Sequence, residues 1–111
     1  MIGHEALANA RLVSFTGQLN SGNATNAEND IVGLLAQGHR NLILDFTNLD
    51  YISSAGLRVV LVAAKRLKPE GGRLVLFGMQ PQVREVFEIS GFLNILEVLD
   101  SRDEAIARVN G

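Results

Sequence analysis

Apolar residues are arranged along the chain in two alternating patterns, short continuous runs and helical stripes. Residues 41–46 form a nearly continuous run of Leu, Ile and Phe, which is typical of a strand buried on both faces of a sheet. Further along, four apolar residues have the i, i+3, i+4 and i+7 spacing of a helix that packs on such a sheet: Leu57, Val60, Leu61 and Ala64. We therefore predict a strand, a turn that ends at two adjacent serines, and a helix that continues to residue 67.

The same patterns predict three further strands and three further helices. Residues 11–16 alternate apolar and polar side chains, which indicates a strand with one solvated face, and this strand could run antiparallel to the others. Glycines, prolines and capping residues mark the ends of the remaining segments. These segments are strands at 73–78 and 95–99, and helices at 27–38, 81–91 and 105–109, the last after a capping box over 101–104.

Strands that alternate with helices indicate an α/β fold with several parallel strand pairs joined by right-handed crossovers. The chain has 111 residues and 47% hydrophobic content, which is enough for one core. We expect a single domain over residues 1–111, with a central mixed β-sheet of four to five strands and about four α-helices.

The composition argues against several classes of function. There is no cysteine, and the two histidines, His4 and His39, lie far apart in the sequence, so we expect no metal site and no cofactor. A net charge of -2, scattered basic residues and a single tyrosine argue against nucleic acid as a partner. No signal peptide and no apolar stretch of about 18 residues is found in the sequence, so we expect a cytoplasmic protein without direct membrane contact.

Catalytic motifs are also missing. Ser53 and Ser54 resemble a nucleophile elbow only loosely, because Gly-x-Ser-x-Gly is not present, and neither histidine is well placed as a base. Neither of the common glycine-rich nucleotide loops occurs. Asp45 and Asp50 flank the predicted turn and could hold a cation, although two solvated surface carboxylates are the commoner explanation. We expect no enzyme and no catalytic residues.

The stretch at 45–57, DFTNLDYISSAGL, resembles the signature of the STAS domain, as found in bacterial anti-sigma factor antagonists. Three flanking segments are similar to other parts of that family, namely GQLN at 17–20, GGRL at 71–74 and VFEISGF at 86–92. The resemblance covers nearly the whole chain and implies a STAS-like fold. Two features depart from the family pattern: Asn20 stands where an acidic residue is usual, and the segment before Arg11 is short for a first strand.

The resemblance implies a regulator that switches between partners. The unmodified protein would bind a serine-kinase anti-sigma factor, which inactivates it by phosphorylating a serine, and a serine phosphatase would reverse the modification. The phosphorylated residue in the family lies two positions before the glycine that corresponds to Gly56, which gives Ser54, with Ser53 as the second candidate. The alternative is a STAS module that serves as a non-catalytic subunit of a lipid-transport or other signalling complex.

A partner-binding surface is predicted around the two serines. A phosphate at a helix N-terminus is tolerated by the fold but can disrupt a close-packed interface. Val59, Val62 and Ala63 form a second apolar stripe beside the predicted core stripe, which either docks a partner or is buried by neighbouring elements. The predicted partner-binding residues are Gln18, Asn20, Ser53, Ser54, Ala55, Gly56, Arg58, Val59 and Val62.

Overall fold

The structure is a computed structural model that describes residues 2–110. Met1 and Gly111, the ends of the predicted domain, lie outside the described residues, and the extent of that domain stays a prediction. The strands are β1 (Ile2–Ala6), β2 (Arg11–Leu19), β3 (Asn41–Ile52), β4 (Arg73–Phe77) and β5 (Glu97–Leu99). The α-helices are α1 (Ala24–Ala36), α2 (Ser54–Leu67), α3 (Pro81–Ile89) and α4 (Arg102–Asn110). Short 3₁₀ turns at Lys68–Glu70 and Phe92–Asn94 complete the described elements.

The five strands form one mixed sheet in the order β1-β2-β3-β4-β5. Strand β1 is antiparallel to β2, whereas β2, β3, β4 and β5 are mutually parallel. The predicted α/β class, with a mixed sheet and four helices, is confirmed. Each of the parallel connections contains one α-helix, as the alternation of runs and stripes predicted.

Helices cover both faces of the sheet. On one face, Val13, Leu44 and Phe46 belong to a large apolar cluster with residues of α1, α2 and α3. On the other face, Ile43 and Val75 belong to a smaller cluster with residues of α4. Neighbouring residues of β3 therefore point into different clusters, which explains why its sequence is continuously apolar.

The turn predicted after residue 46 is wrong, because β3 continues to Ile52. Strand β2 also continues beyond the predicted end at Gly17, and its last residues pair with those of β3, with Leu19 opposite Ile52. Register shifts interrupt this pairing, and Gly17 has a positive φ of 85° within it. Leu49 and Ile52 are almost fully buried, so packing keeps this segment extended despite its polar neighbours.

The two ends of the sheet also differ from the predictions. The segment before Arg11 forms a full strand, β1, and β1 supplies the antiparallel partner, while the first predicted strand, now β2, is parallel to β3. The last strand begins at Glu97, not at Ile95, since the chain first forms a 3₁₀ turn and Ile95 is exposed. Backbone hydrogen bonds hold both edge strands, with little apolar burial to mark them in the sequence.

Candidate functional site

The two serines at the start of α2 have different environments. Ser53 is the N-cap residue, and its Oγ accepts a hydrogen bond from the Gly56 N–H at 3.4 Å. Ser54 is the first helical residue and is exposed. Among residues 2–110, no group hydrogen-bonds to the Ser54 hydroxyl. Ser53 therefore caps the helix, and Ser54 is left accessible at its N-terminus.

Gly56 allows the start of α2 to lie against the end of β2. A Cβ atom at this position would lie 2.8 Å from the carbonyl oxygen of Leu19 and 2.7 Å from a side-chain carbon of Ile52. The same Leu19 carbonyl accepts a hydrogen bond from the Ser53 N–H at 2.9 Å. Close packing thus accounts for this glycine, and its predicted role in partner binding stays a prediction.

The buried face of α2 is rotated from the predicted one. Val59 is only 2% exposed and packs in the core with Ala63, so the assignment of Val59 to a docking face is wrong. Leu61 and Ala64, which were predicted to face the sheet, are half-buried. The apolar part of this helix is wider than one face, and Gly56, which lies against Leu19, is buried on the same side as Val59 and Ala63.

Three of the remaining predicted residues of α2 lie outside the fully buried core. Arg58 is exposed, whereas Ala55 and Val62 are half-buried. Arg58 follows Ser54 by four positions, which places both side chains on the same side of the helix. These placements are compatible with partner contacts, which stay a prediction for all three residues.

The predicted residues Gln18 and Asn20 lie at the end of β2 and at the start of the β2–α1 loop. The Asn20 side chain donates to the Gln18 side-chain oxygen at 3.0 Å and accepts from the Gly22 N–H at 2.9 Å. Asn23, which sequence analysis did not single out, contacts the same loop: its Nδ2 donates to the Gln18 carbonyl at 2.7 Å, and its Oδ1 accepts from the Asn20 N–H at 2.9 Å. The hydrogen bond between Leu19 and Ser53 joins this loop to α2. We refer to Gln18–Asn23, Ser53, Ser54 and Arg58 as the Ser54 surface.

A second group of amide side chains lies along the end of β3. Gln80 Nε2 donates to the Thr47 carbonyl at 3.0 Å and to Asp50 Oδ1 at 3.3 Å. Gln82 Nε2 donates to the Asp50 carbonyl at 3.2 Å. Gln80 is the N-cap residue of α3, and Gln82 lies in its first turn. No sequence motif indicated either residue. They hold the last residues of β3 where β4 has already ended.

The Ser54 surface contains few charges. No residue from 12 to 27 is charged, and between residues 46 and 57 Asp50 has the only charged side chain. Asp45 and Asp50 contact different groups: Asp45 Oδ1 accepts from the Thr47 N–H at 2.9 Å, while Asp50 Oδ1 accepts from Gln80 Nε2 at 3.3 Å. Within residues 2–110, no group of three His, Cys, Asp or Glu side chains could hold a metal ion. In the same range, no helix is both long and apolar enough to span a membrane.

Comparison with known families and relatives gives concordant results. A family model described as the STAS domain matches residues 4–105. BtrV, a candidate anti-sigma factor antagonist of Bordetella bronchiseptica, is 53% identical over 91 residues, which cover 82% of this chain and 78% of BtrV. The name of this relative is that of a regulatory protein.

Two solved structures have the same fold. A candidate anti-sigma factor antagonist from Thermotoga maritima superposes with a TM-score of 0.95 at 20% identity, covering 99% of this chain and 95% of that one. The Bacillus cell fate determinant SpoIIAA, in its phosphorylated form, superposes with a TM-score of 0.78 at 25% identity, covering 98% and 99%. The arrangement of five strands and four helices is therefore shared with both.

Proposed function

The chain belongs to the STAS domain family, and we propose that it acts as an anti-sigma factor antagonist controlled by phosphorylation of Ser54. In this proposal the unmodified protein binds a serine-kinase anti-sigma factor through the Ser54 surface. Phosphorylation by that kinase releases the protein, and a serine phosphatase restores it. The chain itself catalyses no step, and because the kinase consumes ATP, we place the cycle in the cytoplasm.

The observation that carries the proposal is that the two serines differ: Ser53 caps α2, and Ser54 is exposed. Ser53 already caps α2, so the Ser54 hydroxyl is free to react without loss of the cap. The Ser54 side chain is exposed at the N-terminus of a 14-residue helix, where unpaired N–H groups and the helix dipole favour an anion. A phosphate there is compatible with the fold.

The chemistry of the cycle needs no group from this chain besides the serine. The Ser54 Oγ would attack the γ-phosphorus of ATP bound to the kinase, lose its proton and expel ADP. Attack of water on the phosphoserine, assisted by the phosphatase, would return the hydroxyl and release inorganic phosphate. SpoIIAA, which has been solved in a phosphorylated form, supports the idea that this fold can carry a phosphoryl group.

The charge of the surface explains why phosphorylation would release the partner. A phosphoserine carries about -1.5 to -2 charges at pH 7. The adjacent β2–α1 loop is uncharged, so the phosphate would dominate the local potential. A kinase surface that packs closely against the neutral serine would then face both desolvation of the phosphate and repulsion from its own acidic groups.

The test is to incubate the protein with ATP and the candidate kinase and to locate the phosphate by mass spectrometry. We expect one phosphate, on Ser54, which disappears in Ser54→Ala and remains in the matched control Ser53→Ala. A phosphate found only on Ser53 would move the site by one residue. If neither serine is modified by a kinase that binds the protein, the phosphorylation switch is wrong and a non-catalytic subunit role becomes the better account.

A Ser54→Asp variant gives a second test that needs no kinase activity. An acidic residue in the first turn of a helix is stabilising or neutral, so the free energy of unfolding should change by less than about 1 kcal/mol. Binding to the kinase should weaken, as measured by titration calorimetry. Equal affinity of Ser54→Asp and the wild type for the kinase would contradict the proposed switch.

A further inference from the structure

Asn23 occupies the N-cap position of α1 without capping it. Asparagine is among the best N-cap residues because its side-chain oxygen can accept a hydrogen bond from the second or third N–H of the helix. In α1 the Asn23 side chain makes no such bond. The backbone carbonyl of Asn20 instead accepts a hydrogen bond from the Ala24 N–H at 2.8 Å. The side chain that the helix could use is therefore engaged elsewhere.

The Asn23 amide group joins the two ends of the β2–α1 loop. Its Nδ2 donates to the carbonyl of Gln18 at 2.7 Å, and its Oδ1 accepts from the N–H of Asn20 at 2.9 Å. Both hydrogen bonds involve backbone groups, so they fix the path of the chain. The bonds also need a donor and an acceptor on one short side chain, which only the primary amide of asparagine supplies at this length.

The fixed backbone in turn places the two side chains predicted to contact a partner. Asn20 donates to the side chain of Gln18 at 3.0 Å and accepts from the N–H of Gly22 at 2.9 Å. Leu19 lies between these two residues in the chain, and its carbonyl accepts a hydrogen bond from the Ser53 N–H at 2.9 Å. The loop held by Asn23 is thus directly bonded to the residue that precedes Ser54.

We infer that Asn23 is a positioning residue of the Ser54 surface, which holds Gln18 and Asn20 in place before a partner binds. This inference rests on the proposed function for the identity of the partner, and the ordering of the loop can be measured without one. A preorganised loop loses less conformational entropy on binding than a mobile one. Asn23 therefore raises the affinity for the kinase without contacting it.

The variant Asn23→Ser separates this role from helix stability. Serine is too short to reach the Gln18 carbonyl and the Asn20 N–H together, but it is as good an N-cap as asparagine. We expect the midpoint of thermal unfolding to stay the same or rise. Hydrogen exchange at the Asn20 and Gly22 N–H groups should accelerate about fivefold to tenfold, and the affinity for the kinase should fall by a similar factor, the size expected for one or two lost hydrogen bonds.

Two further variants make the test specific. Asn23→Asp keeps the acceptor for the Asn20 N–H and loses the donor to Gln18, so exchange at Asn20 should remain slow; because this variant also adds a negative charge to the surface, it is used for exchange and not for affinity. Thr25→Ala is the matched control, because Thr25 is exposed in the first turn of the same helix. It should change neither loop exchange nor affinity.

The outcomes distinguish this inference from the proposed function. Wild-type exchange rates at Asn20 and Gly22 in Asn23→Ser would show that Asn23 does not order the loop, whether or not a kinase binds. A faster-exchanging loop with undiminished kinase affinity would also overturn the inference, because the loop would then not need positioning. If the wild-type protein neither binds the kinase nor is phosphorylated, the proposed function fails, and the exchange rates still decide whether Asn23 orders the loop.

Discussion

Different interactions stabilise two regions of the molecule, the Ser54 surface and the side of the sheet that carries α4. Around Ser54, neutral amide groups hydrogen-bond to the backbone over distances of 2.7 to 2.9 Å, as in the contacts of Asn23 and Asn20. On the α4 side, ion pairs join the elements. Arg102 of α4 pairs with Glu5 of β1, and Arg108 of α4 pairs with Glu97 of β5.

The difference bears on the proposed switch, which would add charge to a largely neutral surface. Exposed ion pairs contribute little to stability and are screened by salt, whereas hydrogen bonds to backbone groups fix geometry without adding a net charge. A phosphate on the α4 side would be one charge among many. On the Ser54 surface it would lie one helical turn from the cation Arg58 and beside an uncharged loop.

The largest expected effect comes from removing the close contact beneath the Ser54 surface. Gly56→Ala places a methyl group 2.8 Å from the Leu19 carbonyl oxygen, which forces α2 away from β2 and should lower the free energy of unfolding by about 2 to 3 kcal/mol. Urea denaturation measures the change. The matched control is Gly33→Ala in α1, where a Cβ would meet nothing within 4 Å, and here we expect a gain of about 0.5 to 1 kcal/mol. A stable Gly56→Ala protein would contradict the packing account.

A smaller effect is expected from the cap of α2. Ser53→Ala removes the acceptor for the Gly56 N–H, and because this bond is long at 3.4 Å, the cost should lie near the lower end of the usual range, about 0.5 to 1 kcal/mol. Denaturation gives the stability, and kinase assays should still show modification of Ser54. Loss of phosphorylation together with an unchanged stability would mean that Ser53, and not Ser54, is the switch.

The smallest expected effect lies on the α4 side. The hydrogen bond from the Arg102 guanidinium lowers the pKa of Glu5. Because the pKa is lower in the folded state than in the unfolded chain, the stabilisation is complete above the ordinary pKa of a glutamate and is lost as the pH falls through the lowered value. Glu5→Gln should remove this part of the acid dependence, as thermal unfolding at a series of pH values would show.

The same variant tests the separation of the two regions. Since Glu5 and Arg102 lie outside the Ser54 surface, Glu5→Gln should leave kinase binding unchanged at every salt concentration. A Glu5→Gln protein with weakened kinase binding would show that the α4 side belongs to the interface. The two regions would then not be separate in function.

Apolar patterning made most of the fold predictable. Buried runs such as residues 41–46 and the helical stripes required a sheet covered on both faces, and the paired serines before a stripe required a helix start. Strand β1 was not predictable, because backbone bonds to β2 hold it and only Ile2 contributes a large apolar side chain. The extension of β3 was hidden because its polar residues resemble a turn, and its bulged pairing with β2 depends on residues 32 or 33 positions away.

The site was predictable at the level of the motif and not at the level of orientation. Ser53 as cap and Ser54 as the accessible serine follow from their positions at the start of α2. Val59 turns inward on the same side of α2 as Gly56, whose close approach to Leu19 joins two distant parts of the chain. The hydrogen bonds of Asn23 to the β2–α1 loop were not predicted, because a capping residue before a helix is expected to cap it.

The phosphorylation switch at Ser54 is tested most directly by comparing the kinase affinity and the thermal unfolding of the fully phosphorylated and the unmodified protein in the same samples. We expect the phosphate on Ser54 to weaken kinase binding by about 100-fold or more, the scale of a few kcal/mol for unfavourable interfacial charge. We also expect the unfolding midpoint to move by less than about 5 °C, equivalent to about 1 kcal/mol for a domain of this size. Equal affinities of the two forms would contradict the account, as would a loss of binding that is accompanied by unfolding.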